Sequence, residues 1–516
     1  MGLKRGLSQA VGAVAVVTVA GQLLNVAQEM VIAAKFGTSA STDAYKMALV
    51  IPIMLTLELT TIIGAIVIPV FHEQRTSLAP SEIFSAGLNF IGIIAFSIAA
   101  AVFVLAPFLM DAVAGGFSEE TRGMATFLLR VLSLGIFFTL ISLFLSNVLN
   151  ANGYFALPAF QRMFLYTGVL TFLFLIGRSY GISAAAFGFV VGVGVFAIVQ
   201  MIVVIKKIPY SFSFSLGHPV IKSMVVLASP LIFSSLLNQL NVLIEKRIVS
   251  GFEPGSLSAL DFAFKLSAFF INFLVVGINT VLLPTLSESF ASGNRQRISA
   301  IFDMLMKGLA AIIVPTTMAF ILLGKPLVHL VFERGSFDAH STLLTSRALS
   351  FYAFGLTGQA CVASLPRFYQ AFRKNTSLLK MGSVTIVFNV AAMLLLSHLF
   401  GFIGVAGATS LTVTLYSGLL FFNLRSKVDI DIRSLFLTIF KLCIGALGFS
   451  VIVILSYRSL EKVALFSGLG ENVFELTIPL LLGMTIYILL CKVLKIEIVG
   501  VMIEQVRFMI TRQNDK

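Results

Sequence analysis

Charge is what this sequence has least of. Asp, Glu, Lys and Arg together make up 11% of its 516 residues, where a soluble chain carries roughly 25%. A water-soluble globular protein is therefore excluded. Cysteine is almost as scarce. Cys361, Cys443 and Cys491 lie in apolar segments and show neither metal-ligand spacing nor a disulfide framework. The five histidines are scattered and form no HExxH-like set. A Walker A loop, a dinucleotide fingerprint and a nucleophile elbow are all missing, so no metal or cofactor is expected. Transport by such a chain would not be driven by ATP bound on it. Long polar loops are missing too. The widest polar breaks fall near 110–123, 207–221, 286–300, 324–340 and 457–471, and none can house a soluble catalytic domain. That argues against a membrane glycosyltransferase or polymerase, and the chain reads as a non-enzyme.

What is present is apolar length. The chain is 58% hydrophobic with a mean hydropathy of +1.00. Its runs are continuous, unlike the short alternating strands of an outer-membrane barrel. The fold class expected is an all-α polytopic membrane protein. Fourteen spans of about 20 residues or more are predicted. A first lobe holds six, near 9–36, 43–70, 84–109, 124–149, 156–177 and 182–205. A second holds six, near 223–250, 257–284, 301–323, 341–364, 379–399 and 402–424. Two more follow, near 435–456 and 472–491, and the tail 492–516 is mixed and basic. The corresponding domains are 1–215, 216–428 and 429–516. Lys4 and Arg5 before the first apolar run resemble a signal peptide. The run passes Gln28 without a small-residue cleavage site, so it is kept as a span.

The net charge of +13 is not spread evenly. One set of links carries Lys4/Arg5, Arg75, Arg162, Lys206/Lys207, Arg295/Arg297, Arg367/Arg373/Lys374, Arg425/Lys427/Arg433 and Lys492/Lys495/Arg507/Arg512. The alternate set carries Arg122, Arg178, Lys325/Arg334, Arg458/Lys462 and little else. The richer set is expected on the cytoplasmic side. Both termini are then cytoplasmic, and the basic residues face membrane lipid rather than nucleic acid.

The hairpin 221–290 carries more polarity than lipid tolerates. It contains Asn238, Gln239, Asn241, Glu245, Lys246, Arg247, Asp261, Lys265, Asn272 and Asn279. Ionisable groups at membrane depth face a protein interior or a wet cavity. The first hairpin has the same character, with Gln22, Asn25, Gln28, Glu29, Lys35, Asp43, Lys46 and Glu58. Gln22, Asn25 and Glu29 share one helix face. Glu29 sits deep in its span and is read as a cavity carboxylate able to carry a proton or sodium. For the amides, helix–helix hydrogen bonding is the slightly favoured reading. Lys35 and Asp43 are expected near the outer surface, solvated or paired. Lys265 lies about nine residues into its span, roughly 13 Å deep at helical rise, and its charge suits an anionic head group such as a pyrophosphate. Glu245, Lys246 and Arg247 lie nearer an outer end, where a local salt bridge is as good a reading as a ligand contact. Arg130 reads as a snorkelling anchor. These residues are expected to converge on one water-accessible chamber. Two turns, Asn150-Ala151-Asn152-Gly153 leading to Pro158, and Phe332-Glu333-Arg334-Gly335-Ser336, read as structural.

A weak internal repeat links the two hairpins. Ala44-Tyr45-Lys46 precedes Pro69-Val70-Phe71-His72-Glu73, and Ala263-Phe264-Lys265 precedes Pro284-Thr285-Leu286-Ser287-Glu288. Six spans separate the copies, so they are parallel, as in two-lobed transporters with a site between lobes.

Four stretches carry a family resemblance: FGTSASTDAYKMALVIP (36–52), LNANGYFALPAF (149–160), GSLSALDFAFKLSAF…VLLPTLSE (255–288) and FERGSFDA (332–339). In order, and in register from about 8 to 425, they resemble the MurJ/MviN family of lipid II flippases. That family belongs to the multidrug/oligosaccharidyl-lipid/polysaccharide exporter superfamily. The resemblance implies fourteen helices: two six-helix lobes in a V around a cationic cavity, plus two that form a lipid-facing groove. Where the family has first-helix arginines, this sequence has Gln22 and Gln28, and the region near Thr56 also lacks arginine. The family's eighth-helix Ala-Asp-Arg corresponds to Ala263-Phe264-Lys265. Asp43 matches the family's Thr-Asp-Ala, and Glu29 matches an acidic position.

The implied function is a flippase for an undecaprenyl-pyrophosphate-linked saccharide, either lipid II or a related exopolysaccharide or O-antigen unit. It would work by alternating access in the bacterial inner membrane. Substrate-binding candidates are Lys265, Gln22, Gln28, Asn25 and Asn241. Ion-coupling or cavity carboxylates are Glu29, Asp43 and Glu245. The alternative within the superfamily is a cation-coupled multidrug exporter. A monomer is expected, with cell-envelope synthesis proteins as associates.

Overall fold

The computed structural model describes residues 2–211, 217–372, 374–461 and 469–500. Arg373, Lys462, Arg507, Arg512 and the tail beyond 500 lie outside the described residues, as do the side chains of Lys4, Arg5 and Asn238. The described residues form helices and no strand. Two compact units emerge: residues 1–258 with 334–337, and residues 259–333 with 338–516.

The first unit contains α1 (Gly2–Phe36), α2 (Ala40–Gln74), α3 (Pro80–Val113), α4 (Glu119–Ala151), α5 (Ala156–Ala159), α6 (Gln161–Leu175), α7 (Gly177–Tyr180), α8 (Ser183–Ile205) and α9 (Pro219–Val249). Local chemistry sets the boundaries. Ser39 caps α2 by accepting the Thr42 N–H, Pro80 opens α3, and Ser118 caps α4. Helix α4 is the buried centre. It packs on α2, α3 and α8 and buries Leu128, Leu132, Ile136, Leu140 and Phe144. Gln200 of α8 is fully buried against it. Its carbonyl accepts from the Ser142 hydroxyl and its amide donates to Ser146, both at 2.7 Å. In a lipid-surrounded bundle such hydrogen bonds contribute about 0.6 kcal/mol each. Helix α9, which the sequence places at the head of a second lobe, packs here on α2 and α3.

The second unit contains most of α10 (Ser256–Ala291), then α11 (Arg295–Leu322), α12 (Gly324–Phe332), α13 (Ala339–Ala353), α14 (Leu356–Ser364), α15 (Pro366–Ala371), α16 (Asn375–Phe400), α17 (Phe402–Arg425), α18 (Ile432–Glu461) and α19 (Leu469–Val493). The last two helices pair with each other and dock on α11 through Leu442, Ala446, Phe449, Tyr487 and Cys491. The Tyr487 hydroxyl donates to the Ala311 carbonyl at 2.8 Å.

Twelve helices among the described residues are long and apolar enough to cross a membrane, and a bent pair makes thirteen. Helix α9 runs 31 residues, but its described apolar stretch is only Pro219–Ser229. The span expected near 341–364 is not one straight helix. It breaks between α13 and α14 with a bend of 55°. Ser410 of α17 stands at the break. Its hydroxyl donates at 2.7 Å to the Phe351 carbonyl, to which the Gly355 N–H would bond in a continuous helix. Gly355 bonds to Tyr352 instead. A Cβ on Gly355 would stand 2.7 Å from the Ser410 hydroxyl oxygen, so only glycine allows this approach.

Candidate functional site

The repeat lysines are the first feature the fold resolves. Lys46, on the second turn of α2, is buried and ion-paired to Glu29 of α1. Both side chains are about 5% exposed or less. Lys265, on α10, pairs with Asp261 one turn earlier at 3.0 Å, with its side chain 33% exposed. Each copy of the repeat thus carries a lysine held by a carboxylate. Sequence reasoning took Glu29 and Lys265 as single groups and missed both partners. The i, i+4 spacing of Asp261 and Lys265 was the readable signal. Gln28, beside Glu29, is 5% exposed, and its carbonyl oxygen is buried. Gln22 and Asn25 are half-buried on the same helix, and Asn241 is half-buried on α9.

The second feature is a knot of turns at one end of the first unit. Asp43, expected to be solvated or paired, is paired and 2% exposed. Its two carboxylate oxygens accept the backbone N–H groups of Gly255 and Ser258, each at 2.7 Å. It thereby caps α10 from a distant helix, where an anion is favoured by the unpaired amides and the macrodipole. The turn read as purely structural around Gly335 joins the knot. The Ser336 N–H donates to the Ala34 carbonyl at 2.8 Å and its hydroxyl to the Lys35 carbonyl at 3.0 Å. Gly335 adopts φ +58°, and a Cβ there would lie 2.2 Å from the Ala34 carbonyl oxygen. The Gly116 N–H donates to the Ser250 hydroxyl at 3.2 Å. The turns after α1, α3 and α9, together with residues 334–337, are therefore fastened to one another. All belong to the arginine- and lysine-poor set of links.

Other predicted groups have local partners. Glu245 takes the Lys246 ammonium at 2.9 Å, the local salt bridge that sequence allowed. Arg130 stacks over the Phe103 ring at 5.6 Å, on an exposed aromatic. Glu58, deep in α2, accepts the Gln239 amide of α9, a link that sequence spacing did not reveal.

These helices, with buried charge in lysine–carboxylate pairs and turns clasped at one end, define a polytopic α-helical membrane protein. The chain belongs to the MurJ family: the family's sequence model, described as lipid II flippase MurJ, matches residues 32–494. The chain is similar to the probable lipid II flippase MurJ of Thermotoga maritima, with 25% identity over 479 residues, 92% of this chain and 94% of that protein. It is also similar to the lipid II flippase MurJ of Burkholderia cenocepacia, with 25% identity covering 80% and 82% of the two chains. Among solved structures, a lipid II flippase MurJ in an inward closed conformation superposes with a TM-score of 0.78 at 21% identity, covering 94% of this chain and 99% of that one. An inward-facing multidrug resistance MATE family transporter of the MOP superfamily superposes with a TM-score of 0.67 at 14% identity, covering 80% of this chain and 98% of that one. The structural likenesses establish the fold.

Proposed function

We propose that the chain translocates lipid II, or a closely related undecaprenyl-pyrophosphate-linked saccharide, across the bacterial cytoplasmic membrane by alternating access. The observation that carries this reading is the match to the lipid II flippase family over residues 32–494. The physical need is plain. A pyrophosphate-saccharide head group is too polar to cross hydrocarbon unaided, whereas its lipid tail can stay in the bilayer. The arginine- and lysine-rich links, with both termini, face the cytoplasm. Lys265 acts on the substrate pyrophosphate by exchanging Asp261 for a phosphate oxygen. The cost is small because the lysine is already partly exposed. Gln22, Asn25, Gln28 and Asn241 line the route, and Glu29 with Lys46 holds the start of α2 on α1. The knot around Asp43 fastens the turns of the first unit.

The test is replacement of the resident flippase. In a strain depleted of its own lipid II flippase, the chain should restore growth and the appearance of lipid II on the outer leaflet. Failure of both, with the protein present in the membrane, would refute the reading. The likeness to a MATE transporter supports a second reading, a cation-coupled drug exporter. Raised drug resistance on overexpression without rescue of growth would favour it.

A further inference from the structure

A cavity of about 490 Å³ opens in the second unit where α10, α15 and α17 end. Arg295, Lys374 and Lys427 line it, together with Phe290, Phe372 and Ser426, and among the described residues no carboxylate does. Arg295 and Lys374 are exposed, and Lys427 is half-buried. Lys427 donates to the Asn423 side-chain oxygen at 2.8 Å and stands 5.1 Å over the Tyr369 ring. Burial, then the charge of Lys374, hold the Lys427 ammonium below the usual lysine value. Neighbouring cations without an acid between them are unfavourable unless an anion joins them. Exposed apolar side chains stand close by in the chain: Phe290 on α10, Phe422 on α17 and Leu379 on α16. A cationic pocket beside a lipid-facing apolar surface is the arrangement found where head groups meet the protein.

The first unit repeats the arrangement at the ends of α2, α4 and α8. Lys207 stands 3.8 Å over the Tyr154 ring, and Arg75 lies 5.1 Å over the Phe71 ring while donating to Asn152 at 2.5 Å. Both clusters fall in the arginine- and lysine-rich set of links.

We infer that the pocket of Arg295, Lys374 and Lys427 binds the phosphate of an anionic phospholipid from the cytoplasmic leaflet. The phosphate bridges the three cations. The acyl chains follow the exposed apolar side chains, and the Phe290–Phe372 pair, 5.3 Å apart, borders the head group. The site is separate from the lysine–carboxylate pairs and does not depend on the substrate assigned above.

The experiment uses the full chain purified in detergent, with lipid binding read by native mass spectrometry and by thermal stability. Phosphatidylglycerol should bind and raise the unfolding temperature, and phosphatidylcholine should not. Arg295→Gln with Lys374→Gln, both at exposed positions, should weaken phosphatidylglycerol binding about fivefold per cation removed. Adding Lys427→Gln should weaken it further. Arg458→Gln, at an exposed position on the other set of links, should leave it unchanged. Undiminished phosphatidylglycerol binding by the double and triple variants would overturn the site. Equal stabilisation by millimolar inorganic phosphate would overturn the lipid assignment and leave a soluble phosphate ester as the ligand.

Discussion

Lys46 and Glu29 form an ion pair with almost no exposure to solvent. The lysine rises from the second turn of α2 and the glutamate from the last third of α1. Removing one partner of such a pair leaves an uncompensated buried charge, at a cost of about 3–5 kcal/mol. Glu29→Gln and Lys46→Met should each lower the thermal unfolding temperature sharply. The double variant Glu29→Gln/Lys46→Met should recover most of the loss. If the single variants match the parent, the pair holds nothing together.

Asp43 offers a test of the knot. Asp43→Asn keeps the shape but gives up one of two anionic acceptors for the amides of Gly255 and Ser258. The loss of such a cap costs about 1 kcal/mol, roughly fivefold in the local opening equilibrium. Ser256, 1% exposed in this state, reports on opening. In a Ser256→Cys chain with Cys443→Ser, a membrane-impermeant maleimide should label the cysteine several-fold faster once Asp43 is changed to Asn. Equal rates would show that Asp43 does not hold the knot.

Two glycines separate conformational strain from contact. Gly335 and Gly153 both have positive φ, at +58° and +80°. A Cβ at Gly153 meets nothing, while one at Gly335 strikes the Ala34 carbonyl. Gly153→Ala should cost about 1 kcal/mol of backbone strain. Gly335→Ala should cost more and break the Ser336 bonds to α1. Unfolding temperatures of the two variants check the order.

Lys265→Ala should abolish rescue of a flippase-depleted strain while the protein still reaches the membrane. Asp261→Asn should be milder, because it frees the cation instead of removing it. Growth rescue at matched protein levels decides this, and full activity of Lys265→Ala would end its assigned role.

Asp338 caps α13 and accepts both the N–H and the hydroxyl of Ser341, each at 2.8 Å. These bonds hold its carboxyl below the usual carboxylate range. A depressed folded value means the cap contributes fully near neutral pH and is lost as pH falls through and below that range. Asp338→Asn should flatten the acid side of the stability profile. An unchanged profile would show that the cap does not govern acid stability.

The sequence by itself determined the fold class. Runs of some 20 apolar residues have one stable answer in a bilayer, because a helix satisfies its own backbone bonds. The ends of most spans were also legible, since serine, asparagine, proline and glycine mark them locally. The family was legible because its motifs lie in the turns and the helix starts that follow them.

What the tertiary structure decided was which charges meet. Lys46 and Glu29 lie on different helices, so no spacing rule pairs them. Asp43 sits near a helix start, where the sequence leaves it solvated or paired, and folding brought the amides of Gly255 and Ser258 to it. At the break between α13 and α14, Ser410, far along the chain, bonds the Phe351 carbonyl. Short-range patterns set helices because their bonds are local. The partners of buried polar groups were set by packing, which no local pattern encodes.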